Sequence, residues 1–114
     1  MKKLLFILAV TSLCNAANAQ KKATTINVKA SIYCDHCKKC ESCGLRLERS
    51  VYKVKGIKRV DIDESQKVVT VVYNPRKTNV DAIRLAISKV GFDADDVKAN
   101  PVAYEQLDEC CKRQ

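Results

Sequence analysis

Three stretches of the chain predict β-strands, and along the first of them apolar and polar residues alternate one by one, which is the pattern of a strand with one buried face. The stretches are residues 24–32, 57–63 and 67–73, and the last is rich in Val, Thr and Tyr. A short polar turn at residues 63–66 joins the second stretch to the third. We therefore predict that these two form an antiparallel hairpin.

Two other segments carry their apolar residues at the spacing of a helical face. In the first, which starts between Cys40 and Gly44, the face is Leu47, Val51 and Val54. In the second, the face is Val80, Ile83, Ile87 and Val90. Glycines at 56 and 91 follow the two segments and are typical helix stops. Thr78 and Asp81 have the spacing of a capping box, with Asp in place of the usual Glu.

Residues 92–97 can form a short fourth strand, and the three aspartates among them make it an exposed edge. Asn100 and Pro101 suit a helix cap and a first-turn proline, so residues 102–107 are expected to make one or two helical turns. The order strand, helix, strand, strand, helix, strand predicts an α+β fold, the ferredoxin-like βαββαβ sandwich. It would have a four-stranded antiparallel sheet, two helices on one face and a short C-terminal helical tail.

Residues 1–19 have the features of a secretory signal peptide: two lysines at the start, a short apolar run and an Ala-x-Ala cleavage site at 17–19. The apolar run is shorter than the roughly 20 residues that span a bilayer. We expect Cys14 to be removed with this leader, since Leu13 stands where a lipoprotein signal carries a small residue. The mature chain would be exported, to the periplasm or outside the cell, and would begin at Gln20.

Length bounds the mature chain to one small domain, which we place at residues 20–98, followed by a Cys-containing C-terminal tail at residues 99–114. The formal charge of the whole chain is +8, and the leader holds two lysines and no acid, so the mature chain carries +6. A solvated basic surface explains this charge. The chain has no Trp and few aromatic residues, which argues against a nucleic-acid partner.

The cysteines give the strongest indication of function in the sequence. Four of them recur at every third position from residue 34 to residue 43, and the single histidine lies among them. Thiolate sulfur is a soft donor that suits Cu(I), Hg(II), Zn(II) and iron–sulfur clusters. The full set of expected metal ligands is Cys34, Cys37, Cys40, Cys43, His36, Cys110 and Cys111.

Disulfides are the alternative for an exported chain with an even number of mature cysteines. Two features argue against a full disulfide framework. The mature domain is large enough to bury a core without covalent links, and the cysteines fall in two tight clusters. A bond between the adjacent Cys110 and Cys111 would also be strained.

The frame around these cysteines, over about residues 24–97, resembles the heavy-metal-associated domain family. Members of that family carry Met-x-Cys-x-x-Cys between the first strand and the first helix. A Gly-Val step follows that helix, and a Gly-Tyr or Gly-Phe step follows the second. Here Gly56-Ile57 and Gly91-Phe92 stand in those places, and residues 71–75 resemble the end of the family's third strand.

The family's cysteine motif fits this chain twice, as if an insertion of six residues had doubled it. One copy runs from Cys34 to Cys37 and the other from Cys40 to Cys43. The motif's Met is absent from both copies, where Ile32 and Lys38 stand instead. The family includes copper chaperones, the amino-terminal domains of copper-transporting ATPases and periplasmic mercury-binding proteins.

The resemblance implies an exported carrier or scavenger of Cu(I) or Hg(II). Two thiolates at a helix start suit such ions, which accept low coordination and can pass to a partner by ligand exchange. The expected partner is a membrane metal transporter or another thiol-containing metal carrier. The acidic residues are scattered and no catalytic triad or phosphate loop is present, so we predict no enzymatic activity.

Several alternatives stay open at this point. Four thiolates with His36 would also suit a structural Zn(II) site or a Cu(I)–thiolate cluster. Cys110 and Cys111 could reach the loop only on a returning tail helix, and otherwise would serve redox chemistry or intermolecular pairing. A thiol–disulfide oxidoreductase is the enzymatic alternative, although neither Pro75 nor Pro101 is placed as a thioredoxin-like site requires.

Overall fold

The computed structural model describes residues 23–34, 40–41 and 43–113. The predicted leader lies outside the described residues. So do two of the expected ligands, His36 and Cys37.

Among the residues described, three strands form one antiparallel sheet in the order β1-β3-β2. They are β1 (Thr24–Lys29), β2 (Ile57–Asp63) and β3 (Val68–Tyr73). β2 and β3 pair as the predicted hairpin, and β1 lies along the other edge of β3. The alternation seen in the sequence buries one face of this sheet, formed by Val28, Val60, Ile62, Val69, Val71 and Tyr73.

The helices are α1 (Gly44–Tyr52), α2 (Val80–Ser88) and α3 (Pro101–Glu105), and a short 3₁₀ helix follows at Glu109–Cys111. The predicted faces of α1 and α2 lie inward: Leu47, Val51, Ile83 and Ile87 have no exposed surface. α1 packs against β2 and α2. A hydrogen bond from the Ser50 hydroxyl to the Ala86 carbonyl (2.7 Å) also joins α1 to α2.

The cap of α2 lies one residue later than predicted. The side chain of Asn79 accepts a hydrogen bond from the N–H of Ala82 (2.9 Å), and its backbone is extended. Thr78 belongs to the preceding turn instead, since its N–H donates to the Asn74 carbonyl (3.2 Å). Thr and Asn are both good N-cap residues, so the backbone conformation decides which of the two caps the helix.

Residues 92–97 do not form the predicted fourth strand. Ala94 makes an isolated bridge to Ala30. Asp95 has a φ of 51°, and its carboxylate accepts a hydrogen bond from the N–H of Lys29 (2.9 Å). A side chain thus satisfies a backbone group that a strand neighbour would otherwise pair. The N–H of Asp95 also donates to the Lys29 carbonyl (2.8 Å), so the segment stays beside the end of β1 without forming a strand.

The core extends beyond the sheet and the two long helices. Phe92 is fully buried in it, and the tail contributes Leu107 and Cys111 to the same cluster. Within the part of the chain that the structure describes, no helix has the length and apolar character needed to cross a membrane.

Candidate metal centre

The second Cys-x-x-Cys pair forms the turn that leads into α1. The carbonyl of Cys40 accepts hydrogen bonds from the N–H groups of Cys43 (3.3 Å) and Leu45 (3.0 Å). Cys43 is the N-cap of α1, and its side chain makes no capping hydrogen bond. Cys43 is fully buried, whereas Cys40 is half-buried. This turn therefore places Cys43 in the interior, at the start of α1.

Cys34 reaches the interior from the end of β1. The alternation of inward residues continues past the last strand residue, through the buried side chains of Ala30 and Ile32. Cys34 takes the next inward position and is buried as well. The period-two pattern that was visible in the sequence therefore delivers this thiol to the core.

The linker to the tail is fastened to the end of α2, and this turns the chain back. The hydroxyl of Ser88 donates to the carbonyl of Lys98 (2.6 Å), and the Ser88 carbonyl accepts from the N–H of Asn100 (2.9 Å). The carboxylate of Asp93 accepts from the N–H of Ala99 (2.8 Å). These bonds fix the point at which α3 begins.

Gly91 lets α3 lie directly against the end of α2. Its φ is 101°, and a Cβ placed there would lie 2.8 Å from the backbone nitrogen of Tyr104 and 2.9 Å from the carbonyl of Ala103. Glycine meets both demands, because it has no Cβ and tolerates a positive φ. The Gly-Phe step of the family resemblance is therefore also the place where the tail docks.

The end of the tail is held by one leucine and two tyrosine hydroxyls. Leu107 is buried against the core. The backbone N–H of Arg113 donates to the hydroxyl of Tyr104 (2.8 Å), and its Nε donates to the hydroxyl of Tyr33 (3.2 Å). The 3₁₀ helix lies between these anchors and places Cys111 in the interior, with 1% of its surface exposed.

Five cysteine sulfurs meet in two overlapping groups. The Sγ atoms of Cys40, Cys43 and Cys111 all lie within 4.8 Å of one another. Those of Cys34, Cys110 and Cys111 do so as well. The Sγ atoms of Cys110 and Cys111 are 3.8 Å apart, far beyond the roughly 2.05 Å of a disulfide.

Each group of three sulfurs could hold one soft ion. With metal–sulfur bonds of about 2.3 Å, three sulfurs in a trigonal plane lie roughly 4 Å apart. The observed separations need only small side-chain rotations to close around an ion. The structure thus brings together five of the seven expected ligands, while His36 and Cys37 lie outside the described residues.

The surroundings of Cys111 favour its protonated form. Burial, and then a hydrogen bond with the Cys43 thiol, raises the pKa of Cys111 above its usual value. Nearby, the thiol of Cys40 lies 3.9 Å from a carboxylate oxygen of Asp108. A metal ion must displace the proton of each sulfur that binds it, so binding here would release protons.

The residues that hold the tail in place were not predicted from the sequence. Tyr104, Leu107 and Cys111 follow one another at i, i+3 and i+7, which is the spacing of one helical face. That pattern could have indicated that the tail packs against the domain. Asp108 left no comparable signal, because exposed acids are common on turns.

The model of the family described as the heavy-metal-associated domain matches residues 38–93. Over these residues the chain is similar to a heavy-metal-associated domain. Its matched part holds the Cys40–Cys43 pair, α1, the hairpin and α2. The first Cys-x-x-Cys pair and both tail cysteines lie outside the match.

Proteins similar to this chain include copper and mercury proteins. Copper-transporting ATPase 1 of Rattus norvegicus is 35% identical over 63 residues, which are 55% of this chain and 4% of that protein. The chain therefore spans a small part of such ATPases. The mercuric transport protein periplasmic component of Salmonella typhi is 25% identical over 92 residues, 81% of this chain and 93% of that one.

A solved structure described as the CopZ metallochaperone has a similar fold. The TM-score is 0.53 at 22% identity, over 62% of this chain and 98% of that one.

Proposed function

We propose that the protein is an exported carrier or scavenger of a soft metal ion, Cu(I) or Hg(II), and that it is not an enzyme. The observation that carries this proposal is the meeting of the Cys40, Cys43 and Cys111 sulfurs within 4.8 Å of one another. Three thiolates suit a soft ion that accepts low coordination. Two of the three sulfurs belong to the heavy-metal-associated domain.

Transfer takes place by ligand exchange. A thiolate of the partner binds to the ion, one of the three sulfurs leaves, and no electron is transferred. Cys40 is the half-buried member of the group, whereas Cys43 and Cys111 are buried. Cys40 is therefore the sulfur that first meets an incoming ion and lies nearest to a receiving thiol.

Further ligands come from the remaining cysteines and the histidine. Cys34 and Cys110 lie next to the group through Cys111. We propose Cys37 and His36 as additional ligands because they stand within the cysteine array of the sequence. Their substitution by Ser and Ala, respectively, should weaken metal binding without removing it.

The compartment is outside the cytoplasm, with residues 1–19 removed as a leader. The similarity along nearly the whole of a protein named as the periplasmic component of mercuric transport supports export. The similarity to copper-transporting ATPases supports a partner that carries a domain of the same kind, such as a membrane metal transporter. Another thiol-containing metal carrier would serve equally, because ligand exchange requires only a thiolate.

A competition titration tests the function. The reduced, metal-free, full-length chain is titrated anaerobically with Cu(I), Hg(II) and Zn(II) against chelators of known affinity, and is then offered a competing dithiol. We expect Cu(I) or Hg(II) to be held more tightly than Zn(II) and to move to the dithiol. Cys40→Ser should lower the affinity at least tenfold, whereas Ser65→Ala, on the exposed hairpin turn, should not change it.

Other outcomes would contradict the carrier. Turnover in a disulfide-reduction assay would indicate an oxidoreductase. Preference for Zn(II), with unfolding on chelation, would indicate a structural zinc domain.

A further inference from the structure

We propose that this site holds two soft metal ions side by side, joined by the sulfur of Cys111. The inference rests on the proposed function and deepens it, because it sets the number of ions that one chain carries. It follows from the overlap of the two sulfur groups rather than from the matched domain, which contains only Cys40 and Cys43 of the five cysteines.

Cys111 is the sulfur common to both groups. Its Sγ lies within 4.8 Å of those of Cys40 and Cys43 in one group and of those of Cys34 and Cys110 in the other. A thiolate sulfur has more than one lone pair and can bind two metal ions at once. One ion in each group then has three sulfur ligands, and the two ions share one of them.

Burial of the shared sulfur suits a bridge. Cys111 is 1% exposed, so water has little access to the sulfur that joins the two ions. Cys34 and Cys43, one ligand from each group, are buried as well. The outer ligands are different, since Cys110 is exposed and Cys40 is half-buried. Each ion therefore has its own accessible sulfur, through which it can enter or leave.

The number of sulfurs favours Cu(I) or Hg(II) over Zn(II). Structural Zn(II) sites are closed by four protein ligands in a tetrahedron, and each group offers three sulfurs among the residues that the structure describes. Soft ions accept lower coordination. Each thiol that binds loses its proton to the solvent, so filling both positions releases up to five protons and involves no oxidation or reduction.

Copper stoichiometry tests this proposal. The reduced chain from Gln20 onward, without the leader and its Cys14, is given excess Cu(I) anaerobically, freed of unbound metal, and examined by native mass spectrometry and X-ray absorption at the copper edge. We expect two copper ions per monomer and a copper–copper scattering path. Cys110→Ser should leave one copper ion and no such path, and its side chain is exposed, so the fold is not at risk.

A second variant and a control complete the design. Cys34→Ser removes the buried ligand of the same group and should also leave one copper ion, while Ser65→Ala should keep two. One copper per wild-type chain, with no change in Cys110→Ser, would overturn the bridge and leave the carrier function standing. More than two ions, or a copper–copper path found only in dimers, would overturn it as well. A chain that retains no copper would refute both proposals.

Discussion

Cys111 is a buried thiol with four other cysteine sulfurs within 4.8 Å, and its chemistry follows from that position. The metal-free protein keeps the sulfur protonated, because burial and the hydrogen bond with Cys43 disfavour a thiolate. A soft ion reverses this preference, because it replaces the proton with a positive charge in contact with the sulfur. The same residue is thus inert without metal and central with it.

Stability of the metal-free protein should fall at alkaline pH because of Cys111. Below a pH of about 8.5, the usual pKa of a thiol, this group is protonated in both the folded and the unfolded state. Above that pH the unfolded chain loses the proton and the native chain keeps it, since the pKa of Cys111 is raised in the fold. The free energy of unfolding should then fall by up to about 1.4 kcal/mol per pH unit from this group.

Urea unfolding of the reduced protein with chelator present, between pH 7 and pH 10, measures this slope. Cys111→Ser should show a shallower loss of stability than the wild type. Equal slopes in the two proteins would mean that the thiol ionises as readily in the fold as in the unfolded chain.

At the scale of single residues, the sequence indicates cysteine as the type of ligand but does not indicate which cysteine sulfurs lie close together. Four cysteines at every third position indicate soft-metal chemistry by residue type alone. Which sulfurs meet depends on tertiary contacts between segments far apart in the chain, such as Cys43 with Cys111. No local pattern encodes that distance.

Among the elements, α3 decides whether the tail cysteines reach the loop. Lys98 and Asn100, just before the helix, are hydrogen-bonded to Ser88, and the helix backbone lies against Gly91. None of its five residues is fully buried, and Tyr104 packs partly against the core. Close backbone approach, Tyr104 and the flanking anchors together position the helix.

Gly91→Ala should therefore loosen the tail. The new Cβ would meet the backbone of Ala103 and Tyr104 at 2.8–2.9 Å, at a φ of 101°. We expect a loss of about 1–3 kcal/mol of stability. We also expect weaker Cu(I) binding, because Cys111 would move away from the other sulfurs. Chemical unfolding and a competition titration measure the two effects.

Gly56→Ala is the matched control. Gly56 also has a positive φ, of 92°, and its Cβ would lie 2.6 Å from the Cβ of Lys77. This variant should lose stability but keep its Cu(I) affinity, because neither residue touches the tail elements. If both variants lost affinity equally, the docking of α3 on Gly91 would have no special part in the site.

The elements themselves were largely predictable. The buried faces of α1 and α2 follow from the helical spacing of their apolar residues, and the hairpin follows from two strand-forming segments joined by a short polar turn. The prediction of a fourth strand was wrong because the carboxylate of Asp95 accepts the hydrogen bond of the Lys29 N–H, which a strand neighbour would otherwise accept. A hydrophobic pattern does not reveal such competition.

For the molecule as a whole, the residues that match the heavy-metal-associated domain hold Cys40 and Cys43, and segments outside the match supply the other cysteines. The matched residues contain one Cys-x-x-Cys pair, and the tail folds back to add Cys111 to it. The tail is part of the core rather than an appendage, since Leu107 and Cys111 are buried with the strands and helices. We therefore attribute metal binding to the matched residues and the tail together.

The sulfur coordination number of bound copper tests that claim most directly. One equivalent of Cu(I) is added to the reduced full-length chain, and X-ray absorption at the copper edge counts the sulfur neighbours. We predict an average of three sulfurs in the wild type, and fewer in Cys111→Ser, together with weaker binding. Two sulfurs in the wild type, unchanged by Cys111→Ser, would contradict the account, because the Cys-x-x-Cys pair would then bind the ion without the tail.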